Sequence, residues 1–161
     1  MPASGRHAPL WLPPSPERSR NMAAIRSRDT KPELVVRSQI HRAGFRYSLH
    51  RKDLPGKPDL VLSRYGVVVF VHGCFWHGHH CVDGHIPKSN KRYWAPKIAA
   101  NITRDKRRRR QLGHLGWTVL VVRECRLARD TGRVIRLLEA ARGGRPRRSV
   151  QELAEKVIEE H

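Results

Sequence analysis

The stretch of residues 71–81 reads Val-His-Gly-Cys-Phe-Trp-His-Gly-His-His-Cys, and it constrains this chain more than any other part. It places two cysteines, four histidines and two adjacent aromatics directly after an apolar run. Cys74, His79 and Cys81 offer the thiolate and imidazole groups that zinc takes in tetrahedral sites. The only other cysteine, Cys125, is the fourth ligand if the site uses three cysteines and one histidine. The spacing is not that of paired Cys-x-x-Cys motifs, so surface histidines beside unrelated buried thiols are the alternative.

The charge of the chain is far from the balance of an ordinary globular protein. A length of 161 residues fits one compact domain, and the formal net charge is +19 with a pI of about 11.3. Such a charge attracts polyanions, with DNA or RNA as the first candidate and an anionic membrane as the second. No apolar segment is long enough to span a bilayer, so we expect no membrane partner. The first twenty residues lack a secretory pattern, and three cysteines cannot pair off completely. We therefore expect a reducing, cytoplasmic location.

The pattern of apolar and polar residues predicts an α/β fold with a mixed β-sheet flanked by helices. Residues 1–17 are predicted to be a disordered tail, 18–142 the folded domain, and 143–161 a basic linker with a C-terminal helix. Within the domain, the second and third strands form a hairpin. The predicted helices cover residues 30–43, 95–115, 131–141 and 149–160, and the predicted strands cover 45–49, 60–63, 67–71 and 117–122.

Two aspartates, Asp59 and Asp105, occupy positions that suggest a functional role for the carboxylate. Asp59 begins a predicted strand after Pro-Gly-Lys-Pro, where it could bind Mg2+ beside a scissile phosphate, although an ordinary turn residue is the alternative. Asp105 shares a helix face with Ile98, Ile102 and Leu112, which is costly unless it has a partner. One of the many arginines could be that partner. Beside it, residues 106–110 are five consecutive cations that either form a solvated face or contact phosphate.

Several motifs together resemble the very short patch repair (Vsr) endonuclease family. They are residues 21–25 and 28–30, the Pro-Gly-Lys-Pro-Asp of 55–59, the stretch 70–81, Trp94, residues 101–105, and the Glu-Cys of 124–125. The resemblance covers about residues 19–127, and the His-Gly-Cys-Phe-Trp-His segment is highly specific. It implies a restriction-endonuclease-like fold with a structural zinc site. It also implies an enzyme that nicks DNA 5′ to the thymine of a T:G mismatch left by deamination of 5-methylcytosine.

The same resemblance implies roles for individual residues of a catalytic site. Asp59 and the backbone carbonyl of Val71 match the Mg2+ ligands, although the family often has threonine at the position of Val71. His77 matches the general base that activates water, a role that suits an imidazole, and Asp105 matches the acid that orients it. Further polar residues of the site are matched by Glu33 and His72. Glu33 can also be read as a helix-capping residue, and His77 as a spare imidazole beside the zinc.

The resemblance also assigns a zinc site and a set of DNA contacts. Cys74, His79, Cys81 and Cys125 match structural zinc ligands, so Zn2+ would brace the loop that carries His77 rather than do chemistry. Residues that resemble the family's DNA-intercalating and minor-groove contacts are Phe75, Trp76, Trp94, Met22 and Ile25. Core packing is the alternative for the aromatics.

The sequence therefore predicts a Mg2+-dependent, zinc-stabilised endonuclease acting on double-stranded DNA as a monomer, associated with the nucleoid. The rivals are a restriction-type endonuclease of similar fold and a non-catalytic zinc DNA-binding module. Against the first rival, residues 69–71 read Val-Phe-Val where a generic restriction-type nuclease carries an acid and a lysine. Contacts with mismatch-repair proteins, the flanking-base preference and the associated methyltransferase are left open by the sequence.

Overall fold

The computed structural model describes residues 28–84 and 91–143, except for the side chain of Asp83. All the helices and strands below belong to a unit that begins at Lys31. The predicted N-terminal tail, the predicted DNA contacts Met22 and Ile25, and the helix predicted over 149–160 lie outside the described residues. Within those residues, no helix combines the length and the apolar composition that crossing a membrane requires.

The centre of the fold is a four-stranded mixed sheet in the order β1-β2-β3-β4. Its strands are β1 (Ser48–Leu49), β2 (Leu60–Leu62), β3 (Val67–His72) and β4 (Thr118–Arg123). The first two pairs are antiparallel, so the predicted hairpin of β2 and β3 is confirmed. The pair β3 and β4 is parallel, and its register places His72 beside Arg123 at the ends of both strands. The chain segments that follow these two strands therefore leave the sheet side by side, at the carboxyl ends of the strands.

The strand predicted over residues 45–49 is shorter than expected. Only Ser48 and Leu49 pair with β2. Phe45 is 1% exposed and packs edge-on against Tyr65, with ring centroids 5.5 Å apart. At the other end, His50 has a left-handed φ of 48°, which an extended strand cannot accommodate. The turn at His50 ends the strand, and Ser48 and Leu49 are the residues of the predicted run that join the ladder.

Within residues 28–84 and 91–143, three helices flank the sheet: α1 (Lys31–Arg42), α2 (Lys91–His114) and α3 (Leu127–Ala140). Short 3-10 turns cover Val82–Gly84 and Glu124–Arg126. The second turn leads directly into α3, so α3 begins four residues before the predicted start at Thr131. Inside the helix, the Thr131 hydroxyl donates to the Leu127 carbonyl at 2.6 Å.

The helix α2 begins at Lys91, whereas the sequence predicted a start near Ala95. Pro96 lies inside the helix and lacks the N–H that would bond one turn back. The added first turn carries Tyr93 and Trp94, whose rings pack edge-on at 4.9 Å. Trp94 also contacts the rings of Phe75 and Trp76. Tertiary packing of aromatics thus extends the helix beyond its local sequence signal.

The sheet separates two hydrophobic layers, because successive strand residues face opposite sides. On one side, Val67, Val69 and Val122 pack with α1 and α3. On the other side, Val61 and Val68 pack with Leu112 of α2. The helices α1 and α3 therefore lie on one face of the sheet, and α2 lies on the other. The confirmed architecture is a mixed α/β sheet with helices on both faces.

Candidate active site and metal centre

Four potential metal ligands meet where β3 and β4 leave the sheet. The ligand atoms of Cys74, His79, Cys81 and Cys125 all lie within 4.8 Å of one another. Cys125 Sγ is 3.3 Å from His79 Nδ1, and all three cysteines are free thiols. The parallel pairing explains the meeting, because Cys74 follows the end of β3 and Cys125 follows the end of β4. A set of three sulfurs and one imidazole at these separations fits a closed tetrahedral zinc site.

Burial at this cluster favours the uncharged forms of the Cys74 thiol and the His79 imidazole. Burial raises the pKa of the Cys74 thiol to about 12, with Cys125 and Cys81 close by. Desolvation and the neighbouring charges of Arg123 and Arg126 lower the pKa of His79, which favours the neutral imidazole. Zinc binds thiolates and neutral imidazoles, so loading this site would release the Cys74 proton.

Two glycines allow the loop after β3 to close against its surroundings. Gly78 has a φ of +59°, and a Cβ there would lie 2.8 Å from Ile102 Cδ1 and 3.0 Å from Ile98 Cγ2. At Gly84, a Cβ would lie 1.9 Å from the backbone oxygen of His79. The loop backbone is thus pressed onto α2 at one point and onto itself at another. Sequence reasoning missed both glycines as structural requirements.

The side chains of His77 and Asp105 form a hydrogen-bonded pair. His77 Nδ1 lies 2.6 Å from Asp105 Oδ2, and both side chains are half-buried. The carboxylate on the apolar face of α2 therefore has a histidine partner rather than an arginine. With the proton on Nδ1 donated to Asp105, Nε2 keeps its lone pair for another proton. A carboxylate held on one imidazole nitrogen in this way fixes both the tautomer and the ring orientation.

The ring of His72 stacks on the ring of His77. Their centroids are 3.6 Å apart and the planes differ by 6°. Burial, followed by the positive charges of His77, Arg109 and Arg123, lowers the pKa of His72 to about 3. His72 is therefore neutral at physiological pH, where it can donate one hydrogen bond and accept another. The structure brings together three of the predicted site residues, His72, His77 and Asp105, as a cluster.

The carboxylate of Asp59 faces the end of β3. Asp59 Oδ2 accepts a hydrogen bond of 2.7 Å from the Val71 N–H, and its own N–H donates to the Val69 carbonyl at 3.0 Å. The N–H and C=O of a strand residue point to the same side, so the Val71 carbonyl faces the same edge as the carboxylate. Burial raises the pKa of Asp59 to about 6, the Val71 hydrogen bond opposes this, and Glu33 raises it further. A buried carboxylate near a second carboxylate and a backbone carbonyl is a donor set that fits a hard divalent cation.

Glu33 belongs to a buried network that extends the predicted site. It is 4% exposed, and its Oε2 accepts a hydrogen bond of 2.9 Å from Arg37 Nη2. Arg37 Nη2 also lies 3.1 Å from His50 Nε2, and the positive charge of Arg37 lowers the pKa of Asp59. Sequence reasoning missed Arg37 and His50. The i,i+4 spacing of Glu33 and Arg37 on one helix is the signal that points to the pair.

The predicted aromatic contacts form one half-buried cluster. Phe75 lies 5.1 Å from Trp76 and 5.2 Å from Trp94, and Trp76 lies 6.0 Å from Trp94, all edge-to-face. The backbone carbonyl of Trp76 accepts a hydrogen bond of 3.3 Å from the Asn101 side chain. That bond ties this part of the loop to α2. The three rings pack on one another and keep part of their surface in solvent.

A cavity of about 290 Å3 opens beside the two stacked histidines. Sequence reasoning treated residues 106–110 as one basic run and did not single out Arg123. The structure separates Arg109 from its neighbours in that run, because it lines the cavity together with Arg123. The other lining residues include His72, His77, Cys74 and His79.

The comparisons with known proteins agree with one another. The family described as DNA mismatch endonuclease Vsr matches residues 14–83. A type II nicking enzyme V.XorIIP of Xanthomonas oryzae pv. oryzae is 54% identical over 115 residues, covering 71% of this chain and 85% of that protein. A type II nicking enzyme V.NmeAIP of Neisseria meningitidis is 50% identical, covering 69% and 79%. The DNA mismatch endonuclease Vsr of Escherichia coli K12 is 44% identical, covering 68% and 70%.

Proposed function

Because this chain belongs to the Vsr family of DNA endonucleases, we propose that it nicks double-stranded DNA 5′ to the thymine of a T:G mismatch. Such mismatches arise when 5-methylcytosine deaminates, and the nick would initiate very short patch repair. The observation that carries the proposal is the hydrogen bond between His77 and Asp105, with His72 stacked on the imidazole. An imidazole oriented by a carboxylate is suited to take a proton from water near neutral pH.

In the proposed reaction, His77 acts as general base through Nε2. Asp105 holds Nδ1–H, so that the lone pair of Nε2 can take a proton from the water that attacks phosphorus. The P–O bond to the leaving deoxyribose oxygen breaks, and that oxygen takes up a proton from solvent. As the proton arrives, the Asp105 carboxylate stabilises the imidazolium. His72 stays neutral because of its lowered pKa, and its ring restricts His77 to one orientation by stacking. General-base catalysis of this kind contributes about 10²- to 10⁴-fold in rate.

We assign Mg2+ to Asp59 and the Val71 carbonyl. When bound, the ion would polarise the scissile phosphate and neutralise developing charge. The Val71 N–H orients the Asp59 carboxylate through its 2.7 Å hydrogen bond. Valine at this position retains the main-chain oxygen, so the change from the family's frequent threonine leaves the proposed ligand intact. Glu33 and Arg37 set the local charge around Asp59.

We assign Zn2+ to Cys74, His79, Cys81 and Cys125 in a structural role. With four protein ligands there is no open position for substrate. The ion would tie the loop that carries His77 to the turn after β4. The loop would then keep His77 at hydrogen-bonding distance from Asp105.

The substrate would be recognised through the basic charge of the chain and the aromatic cluster. Phe75, Trp76 and Trp94 expose ring surface that can wedge into a base stack. Unstacking costs a few kcal/mol and costs least at a mispaired step, which favours mismatched DNA. The predicted contacts of Met22 and Ile25 would add to this. A single-strand nick needs one active site, so we propose a monomer that acts on nucleoid DNA, with mismatch-repair proteins as further partners.

The second candidate is a nicking endonuclease that does not require a mismatch. The names of two relatives, type II nicking enzymes of Xanthomonas oryzae and Neisseria meningitidis, mention nicking and no mismatch. The two candidates differ in the substrate and share the proposed chemistry. A third, a non-catalytic zinc DNA-binding module, shares only the binding surface.

A nicking assay separates these candidates. End-labelled duplexes would differ only by T:G or C:G at one base pair and would meet zinc-loaded protein with or without added Mg2+. We expect a nick 5′ to the thymine that requires both the mismatch and Mg2+ and is lost in His77→Ala. His41→Ala, an exposed histidine on α1, is the matched control and should nick normally.

Three results would change the assignment. Equal cleavage of the C:G duplex would favour the mismatch-independent nicking enzyme. Tight mismatch binding with no cleavage in several flanking contexts would leave only the recognition module. Full activity without Mg2+ would remove the metal from the proposal.

A further inference from the structure

Two arginines from different elements point into the cavity beside His72 and His77. Arg109 lies one helical turn beyond Asp105 on α2, so both share one face of the helix. Arg123 is the last residue of β4 and pairs with His72 in the parallel ladder. In a parallel pair, residues in register face the same side of the sheet, and α2 covers that side. The two guanidinium groups thereby line the same space of about 290 Å3.

Neither guanidinium has an acidic partner in the parts of the chain that the structure describes. No carboxylate lies within ion-pair distance of Arg109 or Arg123 there, and two acids nearby in the chain have other partners. Asp105 bonds to His77, and Asp130 accepts a hydrogen bond of 3.0 Å from the backbone N–H of Arg123. The rest of the lining is the imidazoles of His72, His77 and His79, the Cys74 sulfur and Val121. Arg109 and Arg123 are therefore the two lining residues that carry a permanent positive charge, which attracts anions.

The space and the chemistry of this cavity fit a phosphate group. Its volume is about 290 Å3, and it also borders the proposed zinc ligands Cys74 and His79. Guanidinium groups bind phosphate oxygens through two parallel hydrogen bonds, which gives them geometric specificity that an ammonium lacks.

We propose that Arg109 and Arg123 together bind one phosphodiester group of the DNA backbone. This proposal rests on the proposed DNA-cleaving function and adds a site separate from the Mg2+ ligands Asp59 and Val71. By holding one phosphate beside the stacked histidines, the pair would fix where the strand lies relative to His77. Its effect would appear in DNA affinity and KM rather than in the proton transfer itself.

The test is DNA binding by zinc-loaded protein without added Mg2+, so that no cleavage is needed. Anisotropy of a labelled T:G duplex would be followed over a salt series for Arg109→Gln, Arg123→Gln and the double variant. Each phosphate contact contributes about 0.9 to the slope of log K against log salt. We expect the slope of the double variant to be shallower by about 0.9 and its affinity at 0.1 M salt to fall roughly ten-fold. Arg133→Gln, exposed on α3 on the other face of the sheet, is the charge-matched control.

A second measurement asks whether the two arginines share one phosphate. Duplexes with a single uncharged methylphosphonate linkage would be scanned along both strands. Wild-type protein should bind more weakly when one particular linkage is neutral. In Arg109→Gln and in Arg123→Gln, neutralising that same linkage should no longer change the affinity. Loss of that sensitivity at the same linkage in both variants supports the shared site. Two different linkages would overturn it.

Slopes that match wild type, or that change no more than in Arg133→Gln, would also overturn the proposal. Arg109→Lys and Arg123→Lys keep the charge and should retain most of the slope, with a lower affinity. Zinc stoichiometry and thermal melting would exclude misfolded variants from the comparison. DNA binding is measured without cleavage, so the phosphate site can be tested even if the nicking assay fails. Likewise, a failed binding test would not by itself contradict the proposed nicking activity.

Discussion

At the scale of single residues, the carboxylate of Asp59 opposes folding when no cation balances it. Its pKa rises from 3.8 to about 6 on folding, mainly through burial. The fold favours the protonated form of Asp59. The contribution of this group to folding stability is therefore fully present below pH 3.8 and is lost as pH rises through about 6. Above that, the ionised carboxylate costs about 3 kcal/mol at most, since one pKa unit corresponds to about 1.4 kcal/mol.

Asp59→Asn should therefore stabilise the Mg2+-free protein at pH 7.5 while abolishing nicking. Asparagine can still accept the hydrogen bond from the Val71 N–H, so the local geometry is kept. Urea unfolding at pH 7.5 should show a gain of about 1–3 kcal/mol that shrinks as the pH is lowered towards 4. Asp53→Asn, an exposed aspartate paired with Arg51, is the control and should show no such gain. A variant less stable than wild type at pH 7.5 would contradict the proposed burial cost.

The pair of His77 and Asp105 gives a second prediction at the same scale. Asp105→Asn keeps the volume of the side chain, but its amide no longer stabilises the imidazolium and can favour the wrong tautomer. We expect kcat for nicking to fall about 10²- to 10⁴-fold with little change in DNA affinity. Single-turnover nicking and anisotropy measure the two quantities separately. Glu139→Gln, an exposed acid on α3, should leave both unchanged.

At the scale of elements, the conformation of the loop after β3 depends on the close approach of its backbone to α2. Gly78→Ala places a Cβ 2.8 Å from Ile102 and asks alanine to adopt a φ of +59°. Strain and crowding of this kind cost about 1–3 kcal/mol each. We expect a lower melting temperature and weaker zinc retention in competition with a chelator, because the loop carries His79 and Cys81.

A second glycine provides the matched control for this element. Gly113 lies inside α2, a Cβ added there would have no neighbouring atom within 4 Å, and its φ is not left-handed. Gly113→Ala should therefore stabilise the protein by about 0.5–1 kcal/mol through helix propensity alone. If both variants shift stability in the same direction, the close approach of the loop is not what determines the effect of Gly78.

Sequence patterns predicted the features that depend on residues close together in the chain. The apolar run over β3 and the short turn before it are sufficient for the hairpin, because strand pairing there spans few residues. The grouping of Cys74, His79, Cys81 and Cys125 was also predictable, since the chain contains no other cysteine. The expected partner for Asp105 follows from the cost of burying an unpaired carboxylate.

Contacts between distant segments explain what the sequence did not predict. The early start of α2 depends on rings of residues 75 and 76 that reach Trp94 from another element. The meeting of Arg109 with Arg123 requires the parallel register of β3 and β4, which no local pattern specifies. In the same way, His50 joins Arg37 from 13 residues away, where only the fold brings the two together.

At the scale of the whole molecule, a net charge of +19 makes undamaged DNA a strong competitor for the protein. Non-specific binding is almost entirely electrostatic and weakens steeply as salt rises. In the proposed function, binding at a mismatch would add contacts of the aromatic cluster, and ring stacking on bases depends little on salt. A moderate increase in salt should therefore release the protein from undamaged DNA before it releases it from its target.

We accordingly expect the rate of nicking at T:G to pass through a maximum with salt when undamaged duplex is in large excess. Between about 50 and 200 mM salt, a protein with 6–10 phosphate contacts loses about 10³- to 10⁵-fold in affinity, enough to free it from the competitor. Without competitor, the rate under limiting protein should only fall over the same range. Trp76→Ala should remove the maximum, because the salt-independent part of target binding is then weakened. A rate that falls steadily with salt in the presence of competitor would mean that mismatch binding is as electrostatic as binding to undamaged DNA.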